Sequence, residues 1–179
     1  MSVNKKIQKL SIAGMLLGLA VICGYLKVPI TNTIEIRFLT LPIAAAGIIL
    51  GPVPGVIVGG LTDFLSYIVK PTGPYFPGFM ITYALTGLVF GLVARLGARG
   101  EVSLPRILVA QGISTVFFNI LLNTQWLSML YGSPFMVVLI PRIPKEILMF
   151  VIYSVMLYVV LRPVRRLTAE LAPTGRKAF

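Results

Sequence analysis

The sequence predicts an all-α membrane protein, a six-transmembrane-helix bundle with both termini cytoplasmic. Three observations carry this. Of the 179 residues 57% are hydrophobic and only 12% charged, with a mean hydropathy of +0.94, which an ordinary soluble domain of this size does not show. Apolar runs near the length of about 20 residues that crosses a hydrocarbon core of about 30 Å recur six times between polar or proline-rich breaks. The sixteen Lys and Arg residues also segregate. Lys5, Lys6, Lys9, Arg95, Arg99, Arg106, Arg162, Arg165, Arg166, Arg176 and Lys177 fall on one side of the six spans, and the positive-inside rule makes that side the cytoplasm.

The chain reads as a single integral membrane domain, 1–179, with spans over about 10–26, 34–50, 53–69, 76–96, 107–127 and 145–161 and a basic cytoplasmic tail, 162–179. Lys5, Lys6 and Lys9 before the first apolar run resemble a signal-peptide n-region, but no small-x-small cleavage site follows, so a retained first helix is expected. Gly14 and Gly18 at i, i+4 give this helix a small-residue face, suited to a helix of the same protein or to another membrane protein. The run 38–50 is short for a span, which places its start near Thr33. Gly51-Pro52 marks a tight turn, and Lys70-Pro71-Thr72-Gly73-Pro74 closes the third span. After the fifth span an irregular stretch holds Gly132, Pro134, Pro141 and Pro144, the last two suiting the start of the final helix better than its middle.

Several function classes are excluded or disfavoured. With one Cys and no His there is no internal disulfide and no zinc or redox ligand set. No P-loop, nucleophile elbow or H-E-x-x-H motif occurs, and five acidic residues leave little for acid–base chemistry, so no enzyme activity and no cofactor are expected. The net charge of +11 follows topology rather than a solvent-facing stripe, which argues against nucleic acid. No clear inverted repeat of the secondary-transporter type is present, so energy for moving a solute would come from partner subunits.

The informative polar residues gather at one end. Gly51, Gly55 and Gly59 form a close-approach face, and one turn later the same helix carries Asp63, Ser66, Tyr67 and Lys70. An ionised Asp at mid-bilayer costs about 2.5–3.5 kcal/mol, so Asp63 is expected to face protein, water or ligand. Tyr75, Phe76, Phe79 and Thr82 open the fourth span at the same external end. Asn119, Asn123 and Trp126 share a face of the fifth at i, i+4 and i+7, and Arg142, Lys145 and Glu146 open the sixth. The remaining bases, Lys27, Arg37, Lys70, Arg142 and Lys145, are external under this topology. Such convergence describes an outward-facing pocket for an anionic ligand with a flat ring, stacked on Trp126 and on Tyr75 or Phe79. Plainer readings stand beside this one: Trp126, Tyr67 and Tyr75 as interfacial-belt residues, Lys27 and Lys70 as snorkelling bases, Asn119 with Asn123 as interhelical glue, and Arg142 with Glu146 as an i, i+4 ion pair.

GPVPGVIVGGLTDFLSY, followed by GPYFPGFMITYALTGLVFGL, resembles the signature of the substrate-binding S components of energy-coupling factor (ECF) vitamin transporters. LNTQWLSMLYGSPFMVVLIPRIPKEILM, 122–149, is similar to the folate branch, through Asn123 to Leu127 and Arg142 to Lys145. The resemblance implies high-affinity capture of folate outside a prokaryotic plasma membrane and association with a transmembrane coupling subunit and two cytoplasmic ATPases. It also implies a toppling motion that delivers the vitamin inward. On the first helix the family docks its coupling subunit through small residues, often Ala-x-x-x-Ala, a place taken here by Gly14 and Gly18. Substrate-binding candidates are Arg37, Asp63, Tyr67, Lys70, Tyr75, Phe79, Asn119, Asn123, Trp126, Arg142 and Lys145. The rivals are an S component for another vitamin, pantothenate or pyridoxine, a small intramembrane enzyme acting on lipid head groups, and a membrane assembly protein.

Overall fold

A computed structural model describes residues 3–26, 28–29, 35–71, 73–96 and 104–171, with side chains described over 6–26, 37–71, 73–96 and 104–160. Six helical rods run among them: α1 (Val3–Tyr25), α2 (Thr40–Leu50), α3 (Pro52–Val69), α4 (Pro77–Arg95), a fifth continuous rod, and α7 (Phe135–Leu171). The fifth rod is α5 (Leu104–Ile113), a π-helical segment (Ser114–Leu122) and α6 (Asn123–Tyr131). Lys27, Arg99, Glu101, Arg176 and Lys177 lie outside the described residues. Four of the rods, α1, α3, α4 and Leu104–Tyr131, are long and apolar enough to cross a membrane by length and composition.

The second rod departs from expectation. It begins at Thr40 rather than near Thr33, because Val28–Pro29 and Glu35–Ile36 pair as two-residue antiparallel strands before it, β1 and β2. At 1.5 Å per residue α2 is about 16 Å long. It is buried on nearly every side, which its unbroken apolarity requires. Gly51 then turns the chain into α3 with φ +103°, a left-handed value that a side chain would strain, and its N–H bonds to the Gly47 carbonyl.

The glycine face of α3 packs on α4, the most extensive helix pair in the fold. A Cβ at Gly59 would stand 2.2 Å from the Tyr83 carbonyl oxygen, and one at Gly87 would stand 2.1 Å from that of Gly55. Backbone meets backbone along this seam, so dispersion replaces side-chain interdigitation. Hydroxyls on the packed faces are satisfied locally: Thr62, Thr82 and Thr86 each donate to the carbonyl four residues back.

The last two rods also differ from the predicted spans. The fifth runs on to Tyr131, past 127, and Gly132 (φ +62°), Ser133 and Pro134 make the whole connection to α7. Pro141 and Pro144, expected near the start of the last helix, lie in its second and third turns. Both rings are on its exposed side, and each lacks the N–H of a normal helical bond. The apolar core joins α2, α4, α5 and α7 through Leu41, Ile48, Phe90, Ile107, Met149 and Leu157. A second cluster ties α1 to α2 and α4 through Ala20, Leu39, Ile43 and Tyr83.

Candidate functional site

At the end of the bundle where α3 finishes and α4 and α7 begin, the helix ends enclose a cavity with about 130 Å³ open to the centres of water molecules. Ten of the eleven substrate-binding candidates line it: Arg37, Asp63, Tyr67, Lys70, Tyr75, Phe79, Asn119, Asn123, Arg142 and Lys145. Trp126 does not.

Each wall follows from helical spacing. On α3, Asp63, Ser66, Tyr67 and Lys70 fall at i, i+3, i+4 and i+7 and face the cavity together. Asp63 is 7% exposed. The Lys70 ammonium sits 4.8 Å over the Tyr25 ring, a cation–π contact at the cavity's edge. Tyr67 donates its hydroxyl to the Gly73 carbonyl at 3.2 Å and its ring lies 5.0 Å from that of Tyr75. Burial and the nearby Asp63 carboxylate push the Tyr75 hydroxyl above its ordinary pKa, so it stays protonated and able to donate at neutral pH. Phe79 stands 6.1 Å from Phe76, edge to face.

Trp126 lies one layer behind this wall. Its ring leans on Phe76 at 5.6 Å, and its indole N–H reaches the Thr82 hydroxyl at 3.2 Å. Phe76 is thus the aromatic surface presented to the cavity where Trp126 was expected.

The opposite wall is built by the π-helical segment, α6 and α7. The Asn123 amide donates to Asn119 Oδ1 at 3.3 Å, and Asn123 Oδ1, buried, accepts no hydrogen bond from the described residues. Bonding to the fifth residue back, as from the Asn123 N–H to the Phe118 carbonyl, offsets the backbone ladder. The neighbouring Asn119 carbonyl accepts from Arg142 Nη2 at 3.2 Å, an anchor supplied by another helix. Arg142 is also 3.7 Å from Glu146, whose carboxylate accepts from Lys145 Nζ at 2.6 Å. Three turns along α7 from Arg142, the Tyr153 hydroxyl donates to the Arg37 carbonyl and hydrogen-bonds Thr40, holding the chain that carries Arg37 against the cavity.

Sequence reasoning did not list Thr40, Tyr83, Tyr131, Glu146 or Tyr153 as binding residues, yet all line the cavity. A signal existed for Tyr153, since 142, 145, 146, 149 and 153 form one helical stripe. Gly14 and Gly18 lie elsewhere, exposed on α1, and a Cβ at either would meet no atom within 4 Å. Among the described residues, the seam they form therefore packs against no other helix.

The chain matches the family model "ECF transporter, substrate-specific component" over residues 8–161. It is 36% identical over 137 residues to the folate transporter FolT of Clostridium novyi, spanning 76% of this chain and 78% of that one. With the folate transporter FolT of Leuconostoc mesenteroides it shares 26% identity over 141 residues, 76% of this chain and 75% of that one. Among solved structures, FolT bound with folic acid superposes with a TM-score of 0.76 at 27% identity, covering 84% of this chain and 90% of that one. An S component for biotin superposes at 0.74 with 23% identity over 93% and 95% of the two chains, a likeness of fold.

Proposed function

The chain belongs to the substrate-specific components of ECF transporters, and we propose that it captures folate on the outer side of the cell membrane for an ATP-driven importer. It is a binding subunit of a transporter rather than a catalytic enzyme. ATP hydrolysis falls to two cytoplasmic ATPases, which act through a transmembrane coupling subunit docked at Gly14 and Gly18. Both termini are cytoplasmic, in keeping with the distribution of basic residues. Toppling of the loaded bundle then presents the cavity inward.

The observation that carries the substrate is the composition of the cavity. Asp63 on the α3 wall and Asn119 and Asn123 across from it offer the donors and acceptors that suit the edge of a pterin. Phe76, Phe79 and Tyr75 supply ring faces for the flat heterocycle, and Arg37, Lys70, Arg142 and Lys145 supply cations for the glutamyl carboxylates. The folate-transporting relatives support the same substrate.

Equilibrium binding of folate to the purified chain, with pantothenate, pyridoxine and riboflavin as controls, tests the reading. Calorimetry is the primary readout because Trp126 stands behind the cavity wall. Selective, saturable binding of folate is expected. Binding of another vitamin in its place would keep the transporter class and overturn the substrate.

A further inference from the structure

The cavity contains an anion of its own. Glu146 is 3% exposed, and its Oε1 accepts from Lys145 and lies within ion-pair reach of Arg142. The cavity lining carries four cations, Arg37, Lys70, Arg142 and Lys145, and two carboxylates, Asp63 and Glu146. The formal balance is two positive charges, the number that the two carboxylates of a folate-type ligand neutralise.

Resting on the folate reading above, we infer that Glu146 is an internal counter-ion that a ligand carboxylate competes with for Lys145 and Arg142. Glu146 thereby sets how strongly the site discriminates among ligands by their negative charge. Arg142 keeps its place through the Asn119 carbonyl, so its position does not depend on Glu146 alone. Lys145, with 18% of its side chain exposed, is the arm with room to turn from Glu146 to a ligand. Removing the Glu146 charge leaves two cations around the cavity less compensated, which raises the free energy of the empty protein more than that of a complex with a bound carboxylate. The same removal deletes the repulsion between Glu146 and that carboxylate.

The test is Glu146→Gln in the full-length chain, with calorimetric titration of three ligands that share the ring: 6-hydroxymethylpterin, which carries no carboxylate, pteroic acid with one, and folic acid with two. Affinity for 6-hydroxymethylpterin should stay within about twofold, while folic acid should bind about tenfold tighter and pteroic acid fall between them. Equal changes for all three ligands, or weaker folic acid binding, would overturn the inference and leave Glu146 a structural partner of Arg142. Thermal unfolding of the empty variant checks that it folds. If it does not, Glu146→Asp, which retracts the carboxylate from Lys145, should shift the three ligands in the same order by a smaller factor, and an unchanged order overturns the proposal. Wild-type protein that fails to bind folic acid at all would instead defeat the substrate reading.

Discussion

Trp126 donates its indole N–H to the hydroxyl of Thr82, 3.2 Å away and 44 residues earlier in the chain. This bond joins α6 to α4 behind the aromatic wall and leaves Phe76 to face the cavity. Trp126→Phe keeps a ring against Phe76 and loses one neutral hydrogen bond, a net loss of about 1 kcal/mol or less. Folate affinity should therefore fall by no more than about fivefold. Phe76→Ala removes a stacking face and should cost about tenfold or more. Calorimetry on the two variants checks the order, and the reverse order would put Trp126 on the ligand.

The carboxylate of Asp63 is the polar group placed to read a ring edge from the α3 side. Asp63→Asn preserves shape and one acceptor but loses the charge, and a charged hydrogen bond contributes about 1.5–3 kcal/mol. Folate should bind Asp63→Asn about 10- to 100-fold more weakly, while the melting temperature of the empty protein changes little. Wild-type affinity in this variant would remove Asp63 from the site.

Where the chain is a regular helix, the site was legible. Asp63, Ser66, Tyr67 and Lys70 come to one wall because α3 holds ideal spacing from Pro52 to Val69. The close-approach reading of Gly55 and Gly59 depended on the same regularity. The π-helical segment had no signal, since no residue type in 114–122 marks a widened turn. The start of α2 was readable but missed: Pro42, which needs no N–H partner in a first turn, marks the beginning near Thr40. Trp126 was on the right helix and near the right face, but a shell of aromatic residues hides which ring is in front. Tyr83 and Tyr153 were lost in apolar runs, where one hydroxyl barely alters hydropathy.

The seam between α3 and α4 should tolerate no added carbon. At Gly87 a methyl would overlap the Gly55 carbonyl, and at Gly59 it would overlap that of Tyr83; both are backbone that cannot rotate away. Overpacking of this kind costs about 1–3 kcal/mol, and more when whole helices must part. Gly87→Ala and Gly59→Ala should each lower the melting temperature in detergent by several degrees or abolish folded protein. Gly60→Ala, whose Cβ would first meet the flexible tip of Met80 at 3.4 Å, should remain near wild type. Equal tolerance at all three positions would show that the helices do not approach so closely.

Gly14 and Gly18 pose the opposite case. Among the described residues no other element stands within 4 Å of a Cβ at either position, and the α1 face around them exposes Leu10 and Met15 at 74% and 75%. A flat strip among large apolar side chains suits close packing with a helix of another membrane protein. Bulky residues there cannot disturb the fold but would hold a docking helix several ångströms away. The double variant Gly14→Leu, Gly18→Leu should therefore keep the wild-type melting temperature and folate affinity. Folate uptake by cells carrying the whole transporter should fall at least about tenfold, the equivalent of about 1.4 kcal/mol of lost association. Recovery of the coupling subunit with the tagged chain should fall in parallel. Loss of folate binding itself would mean that α1 supports the cavity from within, and unimpaired uptake would place the docking surface on another helix.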